Sequence, residues 1–167
     1  NTAPSVTSVV VSDLTLTDAD DGSQMTVTVT YDEAMDNLAD PTLTFTSDIV
    51  TSGTLTFNSG AWSLGDTVYT ATYDVGDVDE EVLDVDVDVS LAQDVAGNVQ
   101  NAFNEADAID VDTLNPSVTS VAVSDSTLTD ADALSQITVT ITYDEAMDNS
   151  ADPTLTFTSD IVTSGTL

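Results

Sequence analysis

The chain repeats itself. Pro4–Leu55 and Pro116–Leu167 align without a gap at an offset of 112 residues and are identical at 45 of 52 positions. So long and regular a period makes each copy a folding domain rather than a short solenoid turn. Since 167 residues hold one period and half of another, residues 1–112 read as a complete domain and residues 113–167 as the first half of the next. Two of the exchanges, Met25 for Ile137 and Val29 for Ile141, keep an apolar side chain, as a core position requires. The half-domain alone would leave an inner sheet face bare, a larger apolar patch than soluble monomers carry. The chain therefore reads as a window on a longer tandem array, with strands supplied by another copy as the alternative.

Within one period, alternation gives the strands. Gln24 to Tyr31 sets Met25, Val27, Val29 and Tyr31 on one face and Thr26, Thr28 and Thr30 on the other. Similar patterns run over Val6–Val11, Leu14–Thr17, Thr42–Thr46, Thr54–Asn58, Val68–Asp74, Val82–Ala92 and Ala108–Thr113. Turn-rich stretches separate them, notably around Gly60 and Gly65, and no helical period appears. The pattern predicts an all-β chain built as a β-sandwich, and the period is close to the ~100 residues of an immunoglobulin-like one. Thr and Val dominate with Asp, together 76 of 167 positions, and the first two suit a pleated, half-buried surface.

Charge restricts the function. There are 31 acidic residues and no Lys, Arg or His. Nothing can neutralise a phosphate, which excludes nucleic acid and anionic membrane surfaces as partners. No apolar run reaches the length of a membrane span. Without His, Cys, Lys or Arg, only carboxylate chemistry remains, and the acids fall on strand faces and loop tips, so no enzyme is expected. A hydrophobic content of 41% is too high for a solvated acidic tail. The absence of cysteine fits a secreted surface protein, although cytosolic proteins also lack it. Asn1 opens no signal peptide, and that start reads as the middle of a repeat.

Some features invite a ligand. Asp84, Asp86 and Asp88 fall on one strand face about 6–7 Å apart, too far for one ion, so a solvated face that deters edge pairing is expected. Trp62 beside Gly60 suggests a sugar platform, but a lone Trp without amide neighbours reads as rim packing. The Thr-rich faces read as ordinary outer sheet surface.

Three segments carry a resemblance: Tyr31-Asp32-Glu33-Ala34-Met35-Asp36, Asp94-Val95-Ala96-Gly97-Asn98, and Val111-Asp112-Thr113-Leu114-Asn115-Pro116. In this order and spacing the period resembles the bacterial Ig-like repeat domains of giant surface adhesins and S-layer proteins. Ala34 stands where that family often has Pro, and the complete loss of basic residues is extreme. The resemblance implies tandem immunoglobulin-like sandwiches, extracellular and at the cell surface, acting as structural or adhesive spacers stiffened by calcium. Physically, Gly97 and Asn98 tolerate the positive φ of a tight turn, and Pro116 fixes the start of the next repeat.

Immunoglobulin topology then sorts the acidic loops. Asp18, Asp20 and Asp21, with Asp77, Asp79, Glu80 and Glu81, fall at the far pole, where the chain leaves the domain. Asp32, Glu33, Asp36, Asp94 and Asn98 fall at the near pole. Domains stacked end to end would press acid on acid. Calcium, with six to eight oxygen ligands, would relieve this, and strong salt would screen it instead. The expected ligands are Asp18, Asp20 and Asp21 from one repeat, Asp110, Asp112 and Asn115 from the linker, and Asp144 and Glu145 from the next repeat. The expected function is a structural repeat module of a fibre, filament or adhesin stalk whose partners are neighbouring copies. The alternatives are an adhesin domain that binds surface glycans or proteins, and a halophile S-layer or sheath subunit.

Overall fold

The computed structural model describes residues 2–158. The chain divides into two compact units, Asn1–Asn115 and Pro116–Leu167. The end of the half-repeat, 159–167, lies outside the described residues.

The first unit is all-β. Its strands are β1 (Val6–Val11), β2 (Thr15–Thr17), β3 (Gln24–Tyr31), β4 (Thr42–Phe45), β5 (Leu55–Ser63), β6 (Val68–Val75), β7 (Glu81–Ser90) and β8 (Phe103–Asp112). They form two four-stranded sheets, ordered β1-β3-β6-β5 and β2-β8-β7-β4. All pairs are antiparallel except β2 with β8. The opening segment thus feeds both sheets, β1 one and β2 the other. Burial alternates along β3 and β6 with period 2, and both sheets contribute to one core, with Met25, Val27 and Leu55 from one and Leu16, Val87 and Val111 from the other. Each fully buried aliphatic side chain there contributes about 1.5–3 kcal/mol. The result is sandwich-like, in line with the alternation in the sequence.

Three details differ from that alternation. β5 runs past Asn58 and Gly60 to Ser63, because its register shifts between Phe57 and Ser59 and the strand continues beside β6. Gly60 is a close approach, not a turn: a Cβ there would lie 1.9 Å from the Tyr69 hydroxyl. β8 starts at Phe103, five residues before the expected Ala108, since Asp107 at φ 52° interrupts its alternation. A single helical turn, α1 (Ile49–Ser52), follows β4. The Asp48 carboxylate caps it by accepting from the Thr51 N–H at 2.9 Å, and Gly53 at φ 104° ends it.

The second unit repeats only part of this. β9 (Val118–Val123) pairs with β10 (Val139–Tyr143) in the register of β1 and β3, including the same irregularity near its end. Residues 127–129, which repeat β2, and Thr154–Phe157, which repeats β4, do not form strands. In the first unit β2 pairs with β8 and β4 with β7, both from the second half of the period. Without those partners, β propensity alone does not make a strand.

Candidate functional site

The near pole is organised by hydrogen bonds to carboxylates. Asp94 is almost fully buried; its Oδ1 accepts from the N–H groups of Ala96 and Asn98, each at 2.8 Å, and its Oδ2 from Asn98 Nδ2 at 2.7 Å. Gly97 at φ 84° closes this turn by donating to the Asp94 carbonyl at 2.9 Å. Met35 bridges to Asp94, the Asp36 N–H donates to the Gln93 carbonyl at 2.7 Å, and Asp32 Oδ1 accepts from the Ser5 N–H at 2.9 Å. These acids hold loops together. Beneath them the Tyr31 hydroxyl donates to buried Gln100 at 2.8 Å, and burial pushes the Tyr31 phenol well above its ordinary pKa.

The far pole is different. Asp18 opens a 3₁₀ turn, Asp18–Asp20, and its pKa is raised, first by desolvation and then by the carboxylates of Asp77, Asp79, Asp112 and Asp21. Asp21 Oδ1 accepts from the Asp77 N–H at 3.3 Å, Asp77 Oδ1 from the Asp79 N–H at 3.0 Å, and Asp79 from the Asn115 side-chain amide. Glu80 binds the end of the domain: its N–H donates to Thr113 Oγ1 at 3.1 Å and its carbonyl accepts from the Thr113 N–H at 2.9 Å. Four of the expected ligands, Asp18, Asp21, Asp112 and Asn115, therefore share this pole with Asp77 and Asp79.

The others are turned elsewhere. Asp20 Oδ2 accepts from the Thr17 N–H and hydroxyl, both at 2.9 Å. Asp110 Oδ1 accepts from the Asp84 N–H at 3.0 Å on the sheet. Asp144 lies in the second unit with Glu145, where its carboxylate accepts from the Ser117 N–H at 2.8 Å and from the Ser117 hydroxyl. Among the described residues no three acidic side chains are grouped to hold a metal ion. Asp77 and Asp79 act on Asp18 here, although the expected ligand set does not include them. The signal for them was an Asp-x-Asp pair at the loop tip.

The acidic strand and the tryptophan resolve as packing. Asp86 and Asp88 share the Asn104 side-chain amide at 3.1 and 3.0 Å, and Asp86 also accepts from the Asp107 N–H, which lowers its pKa, as Asn104 does. Asp84, at φ 57°, sits in an irregular stretch of β7, and β7 lies between β8 and β4, so its acidic face does not guard a sheet edge as expected. Trp62 Nε1 donates to Asp40 at 2.8 Å, and its ring lies 5.1 Å from Tyr69 and 5.6 Å from Tyr31. An open groove of about 310 Å³ runs beside it, lined by Asp40, Leu43, Phe57, Tyr69 and Tyr73 among others.

Among the described residues no helix is long and apolar enough to cross a membrane. No family model, no curated protein and no solved structure matches this chain.

Proposed function

We propose that the chain is a structural module of tandem immunoglobulin-like repeats in an extracellular cell-surface fibre, filament or adhesin stalk. The observation that carries this reading is the path of the chain through the first unit. Pro4 lies beside Asn101, where the carbonyl of Pro4 accepts from the Asn101 N–H at 3.0 Å, just before β8 begins. Thr113 lies beside Glu80, just after β8 ends. The chain comes in at one pole and leaves at the other, which suits a domain strung end to end. The strand order supports the immunoglobulin-like assignment: β1-β3-β6-β5 corresponds to the A-B-E-D sheet, and β8-β7-β4 to G-F-C, with β2 added beside G. Near-identity of the copies supports a spacer, because a dedicated binding domain differs from its supports.

Calcium belongs to the same proposal. The far-pole oxygens are hard ligands that are not grouped into a site among the described residues, so in this proposal a neighbouring copy completes the coordination sphere. An ion that binds only docked repeats would stabilise them by about 2.7 kcal/mol at a hundredfold excess over its Kd. Small-angle scattering and melting of the chain, with calcium and with chelator, test this. A stiffer, higher-melting form with calcium that sodium does not reproduce is expected. Identical profiles would leave salt screening as the sole remedy for the charge, as in the halophile sheath reading. The groove lined by Phe57, Tyr69 and Tyr73 beside Asp40 is where the alternative, a glycan-binding module, would operate. Loss of glycan-array binding in Phe57→Ala would support that alternative.

A further inference from the structure

We propose that the first unit carries a binding site for a small organic ammonium ion with an apolar body, in the groove between the edge strands β4 and β5. This goes beyond the spacer reading and does not rest on it. β5 ends one sheet and β4 the other, so the sandwich is open along this flank. Leu43 lines the opening from β4, and Phe57, Ala71 and Tyr73 line it from β5 and β6, around about 310 Å³. That volume is at the lower end of the range for small-molecule sites. Phe57 is 53% exposed, and its ring stands edge-on to Tyr73 at 5.6 Å. An exposed aromatic face attracts a cation through its quadrupole. The charged residue on the groove is Asp40. Its Oδ1 accepts from Trp62 Nε1 at 2.8 Å, and its charge, after burial, raises the pKa of Tyr69. Gly60 makes room for that arrangement, because the Tyr69 hydroxyl fills the space where a Cβ would stand. A carboxylate has acceptor positions on both oxygens, so Asp40, held in place from below, can still take a ligand's N–H.

Charge selects the ligand. A chain with a formal charge of −31 and no Lys, Arg or His attracts cations and gives an anion no partner. A sugar presents several hydroxyls that need matched partners, whereas this lining is chiefly apolar and aromatic. The two copies of the sequence supply an independent observation. The exposed large apolar side chains of residues 4–55 are Val10, Leu14, Leu38 and Val50. Their counterparts are Ala122, Ser126, Ser150 and Val162, so the one that is kept is the one on this groove. Asp40 and Leu43 likewise recur, as Asp152 and Leu155. The opposite flank, between β1 and β8, has a smaller groove lined by Val10 and Leu14, and there both apolar side chains are exchanged for smaller ones. Exposed apolar surface is thus shed elsewhere and retained beside Asp40.

Titration of the whole chain with phenethylammonium, followed by NMR, tests this. Saturable shifts should be confined to the amides of Leu43, Ala71 and Tyr73 and to the Trp62 indole. The neutral isostere 2-phenylethanol should bind several-fold more weakly, and phenylacetate not at all. Asp40→Asn should weaken phenethylammonium about fivefold in dilute salt and less in molar salt. Phe57→Leu, which keeps the apolar contact and removes the ring, should weaken it about two- to fivefold. Should Asp40→Asn disturb the fold through Trp62, the salt dependence of phenethylammonium binding, set against that of 2-phenylethanol, reads the same charge without a mutation. Four results would overturn the proposal: no saturable binding, equal affinity for the neutral isostere, shifts spread over the acidic loops at Asp18–Asp21 and Asp77–Asp79, or a neutral sugar that saturates the groove where phenethylammonium does not. The last would favour the glycan-binding alternative. The structural-module reading is judged separately, by the calcium-dependent scattering, and survives if only this site fails.

Discussion

The molecule contains its own control: one stretch of sequence in two settings. Met35 is 1% exposed in the first unit, and its counterpart Met147 is 44% exposed in the second. The local devices survive the change. The Thr17–Asp20 hydrogen bonds recur as Thr129–Asp132, Ser5–Asp32 as Ser117–Asp144, and Ser12–Thr26 as Ser124–Thr138. The β-hairpin register survives too. What is lost is every element whose partner lies between Leu55 and Asp112, namely the strands that repeat β2 and β4 and the start of the strand that repeats β3. Short-range hydrogen bonds set turns and one strand pair; burial against the second half makes the core.

The comparison breaks most visibly on truncating a side chain in each copy. Met35→Ala should cost about 2–5 kcal/mol in denaturant unfolding of the whole chain, as for other buried large-to-small changes. Met147→Ala should stay within about 0.5 kcal/mol. Equal losses would mean that both copies are packed alike.

A smaller effect tests the buried polar contact. Tyr31→Phe leaves the Gln100 side-chain oxygen without the hydroxyl that donates to it, at a cost of about 1–3 kcal/mol. Tyr143→Phe should be near neutral in this chain, because Tyr143 is only half-buried in the second unit. Thermal melts of the two variants measure this directly.

The smallest effects concern pH and have opposite signs. The pKa of Asp144 is lowered, chiefly by the hydrogen bond from the Ser117 hydroxyl, so its folded value lies below the unfolded one. Its contribution is present above the unfolded value and is lost as pH falls through the folded one. The pKa of Asp18 is raised, by desolvation and by its acidic neighbours, so its contribution is favourable at low pH and lost as pH rises through its folded value. Asp18→Asn should therefore raise the melting temperature at neutral pH, with the gain fading below the carboxylate range and in molar salt. Asp144→Asn should loosen the Ser117 turn at neutral pH, which its amide chemical shifts would report, and make no difference in acid.

The β3 and β6 strands were legible in the sequence because alternation is undisturbed there, and β1 was legible from its run of β-branched residues despite the register shift between Val6 and Ser8. The far end of β5 and the start of β8 were not. A register shift near Asn58 and a positive φ at Asp107 put the period out of step, and only the pairing partner reveals the strand. The loop poles were legible from topology, yet the orientation of individual carboxylates was not. Asp20 turns to the Thr17 backbone and Asp110 to that of Asp84, local choices that charge counting does not see.

Hydrogen exchange on the intact chain, read residue by residue by NMR, tests most directly whether the second half of a period is what converts this sequence into a core. The amides of Val27 and Val29 should exchange only on unfolding of the first unit, while those of Val139 and Ile141 should exchange faster by orders of magnitude. Equal protection of the two sets in a monomeric chain would contradict that claim.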